Sequence, residues 1–234
     1  MRPGNHNLPS TAVDREVKAL EEPMQSVRST HQARLVDHIQ SWSNCAACAL
    51  HNSAKRKVFY RGMVPCDIMF IGKSPDEHED DTGIPSIGNG LKEIIRATID
   101  AHNAETFLGL SKDAQIAACF GVHSQGYKLQ WCITNSVCCY APDGREPDRD
   151  ELAACSPRLA EFVYLCNPKL IITLGRVADK AYMKLLSHLP ENIRQLPVPH
   201  PTAFYNKEDP DLEKKKMILS INSAIKNIFR AQNV

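Results

Sequence analysis

The sequence lacks the features of membrane and exported proteins. None of its apolar runs approaches the roughly 18 residues that a membrane-spanning helix needs. The first residues, MRPGNHNLPSTAVDRE, are too polar for a secretory signal. We therefore expect a cytoplasmic protein without membrane contact. The chain also lacks internal repeats and low-complexity tracts.

The chain lacks an excess of either charge as well. Its 28 Lys and Arg residues nearly balance 27 Asp and Glu residues, for a formal net charge of +1. This balance excludes a uniformly basic or acidic surface, so any affinity for a polyanion must come from local groups such as the cationic trios at 55–57 and 214–216. Each trio is equally well explained as a solvated charged face.

The cysteine content is the first positive signal. Nine cysteines, an odd number without an export signal, argue against a disulfide framework and for metal ligands or buried thiols. Cys45 and Cys48 form a C-x-x-C pair that needs two more ligands, and Cys138, Cys139 and Cys155 are the candidates. A site made of Cys45, Cys48, Cys139 and Cys155 suits an iron-sulfur cluster, with zinc and unligated thiols as alternatives. The remaining cysteines lie in or beside apolar runs and are expected to be buried small hydrophobes: Cys66, Cys119, Cys132, Cys138 and Cys166.

The order of apolar patterns predicts an α/β fold. Short apolar runs at 67–71, 131–135 and 170–174, with a shorter one at 195–198, read as strands, and helical spacing recurs at 31–43, 91–102, 151–166, 177–186 and 212–229. This alternation predicts a three-layer αβα architecture with a central, mainly parallel four-stranded sheet. We expect one domain over 29–234, preceded by a flexible segment at 1–28.

Three polar segments follow predicted strands. They are the acid-rich stretch GKSPDEHEDDTGIPSIGNG at 72–90, the turn after Asn135, and the segment at His200. Ligands of open α/β sheets bind beyond the carboxyl ends of the strands, so these segments should converge on one cleft.

Several motifs together resemble the iron-sulfur uracil-DNA glycosylases, the family 4 type of the uracil-DNA glycosylase superfamily. The resemblance runs from about residue 42 to about residue 229, and its landmarks are CAACAL, VFYRGMVPCDIMFIG, the acid-rich stretch, ITNSVCC, REPDRDELAAC, PKLIITLG and PHPT. It implies a monomeric DNA glycosylase that acts on double- or single-stranded DNA. It also implies a structural 4Fe-4S cluster held by Cys45, Cys48, Cys139 and Cys155, near the DNA and without a redox reaction.

The resemblance also implies roles for side chains in the cleft. Cleavage of a base-sugar bond passes through an oxocarbenium-like sugar, which a carboxylate can stabilise while it orients water. The candidate acids are Asp76 and Glu79, and His200 would hydrogen-bond the leaving base. Asn135 would read the edge of the flipped-out base. Further base contacts are assigned to Ser74 and Ser86, and DNA contacts to Lys73, Arg145, Thr202 and Phe204.

Each role has a simpler alternative. Asn135 could cap a turn, His200 could be a packed loop histidine, and most acids of the 72–90 stretch could be solvated.

The acid-rich stretch departs from the pattern of the family. Lys73 stands in place of a carboxylate, where it could form a Schiff base or pair with neighbouring acids. Ser86 stands in place of the phenylalanine that stacks on uracil, which removes roughly 1–3 kcal/mol of stacking. Asp76 occupies the position that faces carbon 5 of the pyrimidine, where an acid suits a polar substituent.

These departures leave three hypotheses. The first is a glycosylase for a bulky C5-modified pyrimidine, such as the glucosylated hydroxymethylcytosine of some phage DNA, serving antiviral defence. The second is a divergent uracil excision enzyme of DNA repair in which Phe59, Tyr140 or Tyr205 replaces the missing ring. The third is a non-catalytic DNA-binding module.

Overall fold

The computed structural model describes residues 30–86, 88–100 and 129–230. The segment predicted to be flexible, 1–28, and Cys119 lie outside these residues. No helix in the described ranges is long and apolar enough to cross a membrane.

Five strands form one sheet. They are β1 (Tyr60–Gly62), β2 (Ile68–Gly72), β3 (Trp131–Asn135), β4 (Leu170–Leu174) and β5 (Arg194–Val198), in the order β1-β3-β2-β4-β5. The four predicted strands are confirmed as a parallel set from β3 to β5. The predicted strand count was wrong by one, because β1 pairs antiparallel with β3 at the edge. Its three residues are too few to show a strand period, and two of them are exposed.

Six helices surround the sheet in the described ranges. They are α1 (30–43), α2 (Glu77–Thr82), α3 (Asn89–Ile95), α4 (Arg149–Cys166), α5 (Arg176–Leu185) and α6 (Pro210–Arg230). A π-helical turn, Arg96–Asp100, continues α3, and the predicted end of that helix at 101–102 lies outside the described residues. Helix α2 was not predicted, because six residues of EHEDDT carry no apolar stripe.

Both faces of the sheet are covered, as expected for parallel strands. In β2, Ile68 and Phe70 face one cluster with α3 and α6, whereas Met69 and Ile71 face a second cluster with α1, α4 and α5. Every residue of β2 is therefore buried, which explains its uninterrupted apolar sequence. Burying each large apolar side chain contributes about 1.5–3 kcal/mol, so these two clusters hold the layers together.

The carboxyl ends of the strands meet at one edge of the sheet. Gly72 at the end of β2 is in register with Asn135 at the end of β3, and β5 ends two residues before His200. The architecture thus brings the acid-rich stretch, Asn135 and His200 to the same side of the molecule.

Candidate active site

A cleft of about 670 Å³ opens at this edge. As predicted, the three polar segments converge on it. The predicted site residues that line it are Lys73, Ser74, Asp76, Glu79, Ser86, Asn135, His200 and Thr202.

Asn135 lines the cleft and carries a buried, unsatisfied hydrogen-bond donor. The residue is only 6% exposed, and its Nδ2 has no hydrogen-bond partner within the described residues. Its Oδ1 lies against Gly72, where an added Cβ would approach to 2.3 Å, so a side chain at position 72 would displace the Asn135 amide. A buried amide donor without a partner is costly unless a ligand accepts its hydrogen bond.

Asp76 and Glu79 hold each other at the start of α2. The Glu79 backbone N–H donates to Asp76 Oδ1 at 2.8 Å, and the Asp76 backbone N–H donates to Glu79 Oε2 at 2.7 Å. This reciprocal capping box begins the helix and explains why the acid-rich stretch is not a plain loop.

The two carboxylates differ in how many of their oxygens already accept hydrogen bonds within the protein. Glu79 is 6% exposed, and its second oxygen, Oε1, accepts the backbone N–H of Ser86 at 2.5 Å. Burial raises the pKa of Glu79. Asp76 is exposed and uses only Oδ1 in the cap. Glu79 therefore ties the walls of the cleft together, whereas Asp76 keeps an oxygen for a ligand or water.

His200 begins the 3₁₀ turn Pro201–Asn206, and its tautomer follows from its contacts. The Thr202 backbone N–H donates to His200 Nδ1 at 3.3 Å, with Thr202 Oγ1 at 2.8 Å from the same atom. An Nδ1 that accepts from an amide leaves the proton of the neutral ring on Nε2. Burial, and then the charge of Lys73, lower the pKa of His200, which favours this neutral form.

Lys73 does not pair with the acids around it, which corrects one of the expectations above. Its Nζ donates to the backbone carbonyls of Gly144 at 2.7 Å and Arg145 at 3.4 Å, and no described carboxylate forms an ion pair with it. Lys73 thus fastens the acid-rich stretch to the turn Pro142–Gly144 and places a positive charge near His200.

Two residues predicted to contact DNA, Arg145 and Phe204, instead contact other parts of the protein. Arg145 forms a bidentate ion pair with the nearly buried Glu151, with N–O distances of 2.6 and 2.8 Å. Phe204 is 6% exposed and packs in the α3–α6 core, so the assignment of a DNA contact to its ring was wrong. The 3₁₀ turn directs Phe204 inward and leaves the neighbouring Tyr205 70% exposed at the cleft.

The predicted cysteine ligands come from three segments of the chain. Cys45 and Cys48 follow α1, Cys139 follows β3, and Cys155 lies in α4. Cys139 and Cys155 pack in one buried cluster against which Cys48 is placed. The described cysteines are free thiols. A set of thiols from convergent segments fits an iron-sulfur cluster or zinc, both of which accept four thiolates.

A fifth thiol lies inside this group. Cys138 Sγ is 4.0 Å from the Sγ atoms of both Cys139 and Cys155. The contact with Cys139, together with burial, raises the pKa of Cys138 to about 11, whereas the same contact lowers the pKa of Cys139. Of the two adjacent cysteines, Cys139 is the one whose surroundings favour the thiolate that a metal requires.

Sequence reasoning missed a second convergence of cysteines. The Sγ atoms of Cys66, Cys132 and Cys166 lie within 4.8 Å of one another, a spacing that could hold a metal ion. All three are buried in the α1–α4–α5 core, as predicted. The pKa of each is raised well above its usual value, for Cys66 by the contact with Cys132 and for the other two by burial.

Sequence reasoning also missed Arg158, whose side chain is fully buried. Its Nη2 donates to the carbonyls of Asn135 at 2.5 Å and Ser136 at 3.3 Å, and its Nη1 donates to Thr134 Oγ1 at 3.3 Å. A signal was available: Arg158 lies among the apolar positions of α4 that include Cys155, Leu159 and Phe162, where a charge is out of place.

Comparison with known proteins agrees with this architecture. The profile of the Uracil DNA glycosylase superfamily matches residues 59–226. A Type-4 uracil-DNA glycosylase of Sulfurisphaera tokodaii is 33% identical over 137 residues, covering 58% of this chain and 52% of the relative. The enzyme of the same name from Saccharolobus solfataricus is 33% identical over 149 residues, covering 64% of this chain and 59% of the relative. That from Pyrobaculum aerophilum is 29% identical over 150 residues, covering 64% and 65%.

The match spans between about half and two thirds of these relatives. Within this chain, the matched region begins just before β1 and ends inside α6, so it contains the whole sheet and every residue that lines the cleft. The chain therefore belongs to the uracil DNA glycosylase superfamily.

Proposed function

We propose that this protein is a DNA glycosylase that takes a pyrimidine nucleotide out of the DNA stack and hydrolyses its N-glycosidic bond, leaving an abasic site. The observation that carries the proposal is the buried Nδ2 of Asn135, which has no partner in the described residues and belongs to a residue that lines the cleft. A base inside a duplex cannot reach this atom, so the nucleotide must be flipped out.

Asn135 reads the polar edge of the flipped base. Its Nδ2 donates to a base carbonyl, and an amide side chain has acceptor capacity for an exocyclic amino or ring N–H group as well. The packing of Oδ1 against Gly72 and the hydrogen bond from Arg158 to the Asn135 carbonyl support a fixed position of this amide.

His200 stabilises the leaving base. When the bond between C1′ and the base nitrogen breaks, the electron pair departs with the base and spreads onto the adjacent carbonyl oxygen. The neutral His200 ring, with its proton on Nε2, can donate a hydrogen bond to that oxygen as negative charge collects there. The contacts of Nδ1 with Thr202 support this tautomer.

Asp76 is the principal acid in this proposal. Its free oxygen can hold a water molecule against C1′, accept the proton as water adds, and offset the positive charge of the oxocarbenium-like sugar. Glu79 has a supporting role, because both of its oxygens already accept backbone N–H groups. The two carbonyls that hold the ammonium of Lys73 favour hydrolysis by water over Schiff-base attack by this lysine.

DNA contact is proposed for the rim of the cleft. Thr202 and the exposed Tyr205 lie at the rim, together with the cation of Arg176, which is 78% exposed. Cations at this rim suit phosphate, and an exposed ring can fill the gap that the flipped base leaves. Lys73 lines the cleft, and Arg145 lies between the lining residues Gly144 and Glu146, so both remain proposed DNA contacts.

Cys45, Cys48, Cys139 and Cys155 would hold a 4Fe-4S cluster. When bound, that group would join three chain segments, and it takes no part in bond cleavage. The packing of Cys48 against Cys139 and Cys155 supports it, and Cys45 lies three residues before Cys48 in the chain.

The preferred substrate in this proposal is a C5-modified pyrimidine, such as glucosylated hydroxymethylcytosine, with phage defence as the biological role. Ser86 lines the cleft where a phenylalanine would narrow it, and the exposed Asp76 offers a hydrogen-bond acceptor nearby. The volume of about 670 Å³ lies well inside the range of roughly 300–1,000 Å³ that is usual for pockets of small organic ligands, which leaves room for a substituted base.

Uracil is the second candidate. The relatives are named uracil-DNA glycosylases, and Tyr205 is the one of the three aromatic residues considered above that lines the cleft. If Tyr205 stacks on the base, the loss of the phenylalanine at position 86 is compensated.

The test is base release, analysed by mass spectrometry, from uracil-containing DNA, unmodified DNA and phage DNA with glucosylated hydroxymethylcytosine. We expect release of the modified base alone, and a loss of about 100- to 1,000-fold in Asn135→Ala and His200→Ala. Asn192→Ala and His188→Ala change exposed residues outside the cleft lining and serve as matched controls. Release of uracil alone supports the second candidate, and no release from any DNA supports a non-catalytic module. Full activity of both cleft variants contradicts the site.

The variant Ser86→Phe tests the substrate assignment directly. A ring at this position should narrow the cleft and add stacking worth roughly 1–3 kcal/mol, or roughly 5- to 150-fold, for an unsubstituted pyrimidine. We expect a shift of kcat/KM from the modified base towards uracil, with Ser187→Phe as an exposed control. An unchanged ratio of the two substrates would contradict a pocket shaped by Ser86.

A further inference from the structure

The fully buried Arg158 lacks a carboxylate partner. It has 0% exposure, and none of the ion pairs among the described residues includes it. Its Nε atom also has no hydrogen-bond partner in that part of the chain. A guanidinium is always charged in proteins, and burying an unpaired charge is strongly unfavourable. A source of negative charge beside Arg158 is therefore to be expected.

The candidate source of this negative charge is the set of predicted metal ligands, which we call the thiol site: Cys45, Cys48, Cys139 and Cys155. Arg158 follows Cys155 by three residues in α4, so the two side chains project from the same face of the helix. The Ser136 carbonyl that accepts from Nη2 lies just before Cys138 and Cys139 in the chain. A metal group held by four thiolates brings negative charge to this place, whereas neutral thiols do not.

The two Nη atoms of the guanidinium hold the carboxyl end of β3, where Asn135 lies. Nη2 donates to the carbonyls of Asn135 and Ser136, and Nη1 to Thr134 Oγ1. These contacts fix the backbone that carries the Asn135 amide. One side chain thus spans from the metal-ligand region to the residue that faces the base.

We propose that Arg158 is a positioning residue that couples the thiolate-bound metal group to Asn135, as counter-charge to the first and as backbone clamp for the second. The role of Asn135 in this inference rests on the proposed function. The role of Arg158 toward the metal group does not, because it depends on charge and burial alone.

The test compares three variants of the full-length protein. Arg158→Met removes the charge and the donors, Arg158→Lys keeps the charge without the planar fork, and Arg149→Met changes an exposed arginine of the same helix as a control. Metal affinity is measured by chelator competition, and kcat and KM by release of whichever base the wild type excises.

We expect Arg158→Met to lower both metal affinity and kcat/KM by about 10- to 100-fold. Arg158→Lys should retain wild-type metal affinity and lose activity. The effects of Arg158→Met and Asn135→Ala on kcat/KM should also be less than additive in the double variant, because one residue acts through the other.

Wild-type metal affinity and activity in Arg158→Met overturn the proposal, as does a loss of stability alone. In Arg158→Met, a change confined to metal affinity or to activity also overturns it, because the guanidinium then does not couple the two sites. If the wild type releases no base, the proposed function fails, while chelator competition with the same variants still decides whether Arg158 supports the metal group.

Discussion

At the scale of single residues, the cleft is built from side chains that use part of their hydrogen-bonding capacity internally and leave the rest to a ligand. His200 uses Nδ1 with Thr202, Asp76 uses Oδ1 with Glu79, and Asn135 leaves Nδ2 unused among the described residues. Internal contacts fix the geometry, and all three residues line the cleft. This division of roles is what preorganised catalysis requires.

The charge of Lys73 should control the titration of His200. Because this cation lowers the pKa of His200, Lys73→Met should raise that pKa and move protonation of the ring to higher pH. An NMR titration of the His200 ring measures this without any need for turnover. A pH profile of base release should show its acid limb moving in the same direction.

Arg176→Met is the matched control for this experiment. Arg176 is also a cation that lines the cleft, but it is not among the causes of the shifted pKa of His200. An unchanged pKa of His200 in Lys73→Met would contradict the electrostatic link.

At the scale of elements, the short helix α2 converts an acid-rich stretch into an ordered wall of the cleft. The capping box begins this helix, and Gly83, with a positive φ of 74°, ends it after six residues. Asp80, 2% exposed, anchors the other side by accepting the backbone N–H groups of Lys55 and Arg56 at 3.0 to 3.2 Å. Most of these acids are thus occupied by the fold, and Asp76 is the one that retains a free oxygen at the cleft.

Substitutions of Asp76 should separate its capping role from its chemical role. Asn caps helices about as well as Asp, so Asp76→Asn should keep the stability of the wild type while base release falls. Asp76→Ala should also lower the free energy of unfolding, by about 0.5–2 kcal/mol. Urea denaturation and base release measure the two effects. Equal activity of Asp76→Asn and wild type would remove Asp76 as the principal acid.

At the scale of the whole molecule, the thiol site joins segments that are far apart in the chain. In the sequence, the strands β1, β2 and β3 all lie between Cys48 and Cys155. A bound metal would therefore connect the end of α1 to α4. A cross-link of this kind stabilises the native state because binding free energy is added to folding free energy.

Removal of the thiol-bound metal should therefore lower the Tm. For a chain of this size each kcal/mol corresponds to about 2–4 °C. Calorimetry before and after treatment with a chelator measures the change, and Cys45→Ser should reproduce the lower Tm without further response to the chelator. Cys66→Ala, in the second thiol group, should keep the metal content of the wild type. Loss of metal from Cys66→Ala would instead place the metal among Cys66, Cys132 and Cys166.

The layered architecture of this protein could be predicted from its sequence. Strands that are covered on both faces are largely apolar, so the sequence shows β2, β3 and β4 as short apolar runs. The helical patterns between these runs predict parallel connections. The convergence of Asn135, His200 and the acid-rich stretch followed, because the carboxyl ends of parallel strands meet at one edge.

The partners of the polar groups could not be predicted, because they are set by the packing of the layers. The exposed edge strand β1, the pairing of Lys73 with carbonyls and the inward turn of Phe204 depend on neighbours that are remote in sequence. The same holds for Arg158, whose partners lie more than 20 residues away. Hydrophobic periodicity is a local property of the chain, whereas hydrogen bonds and charges are assigned their partners only when the layers have packed.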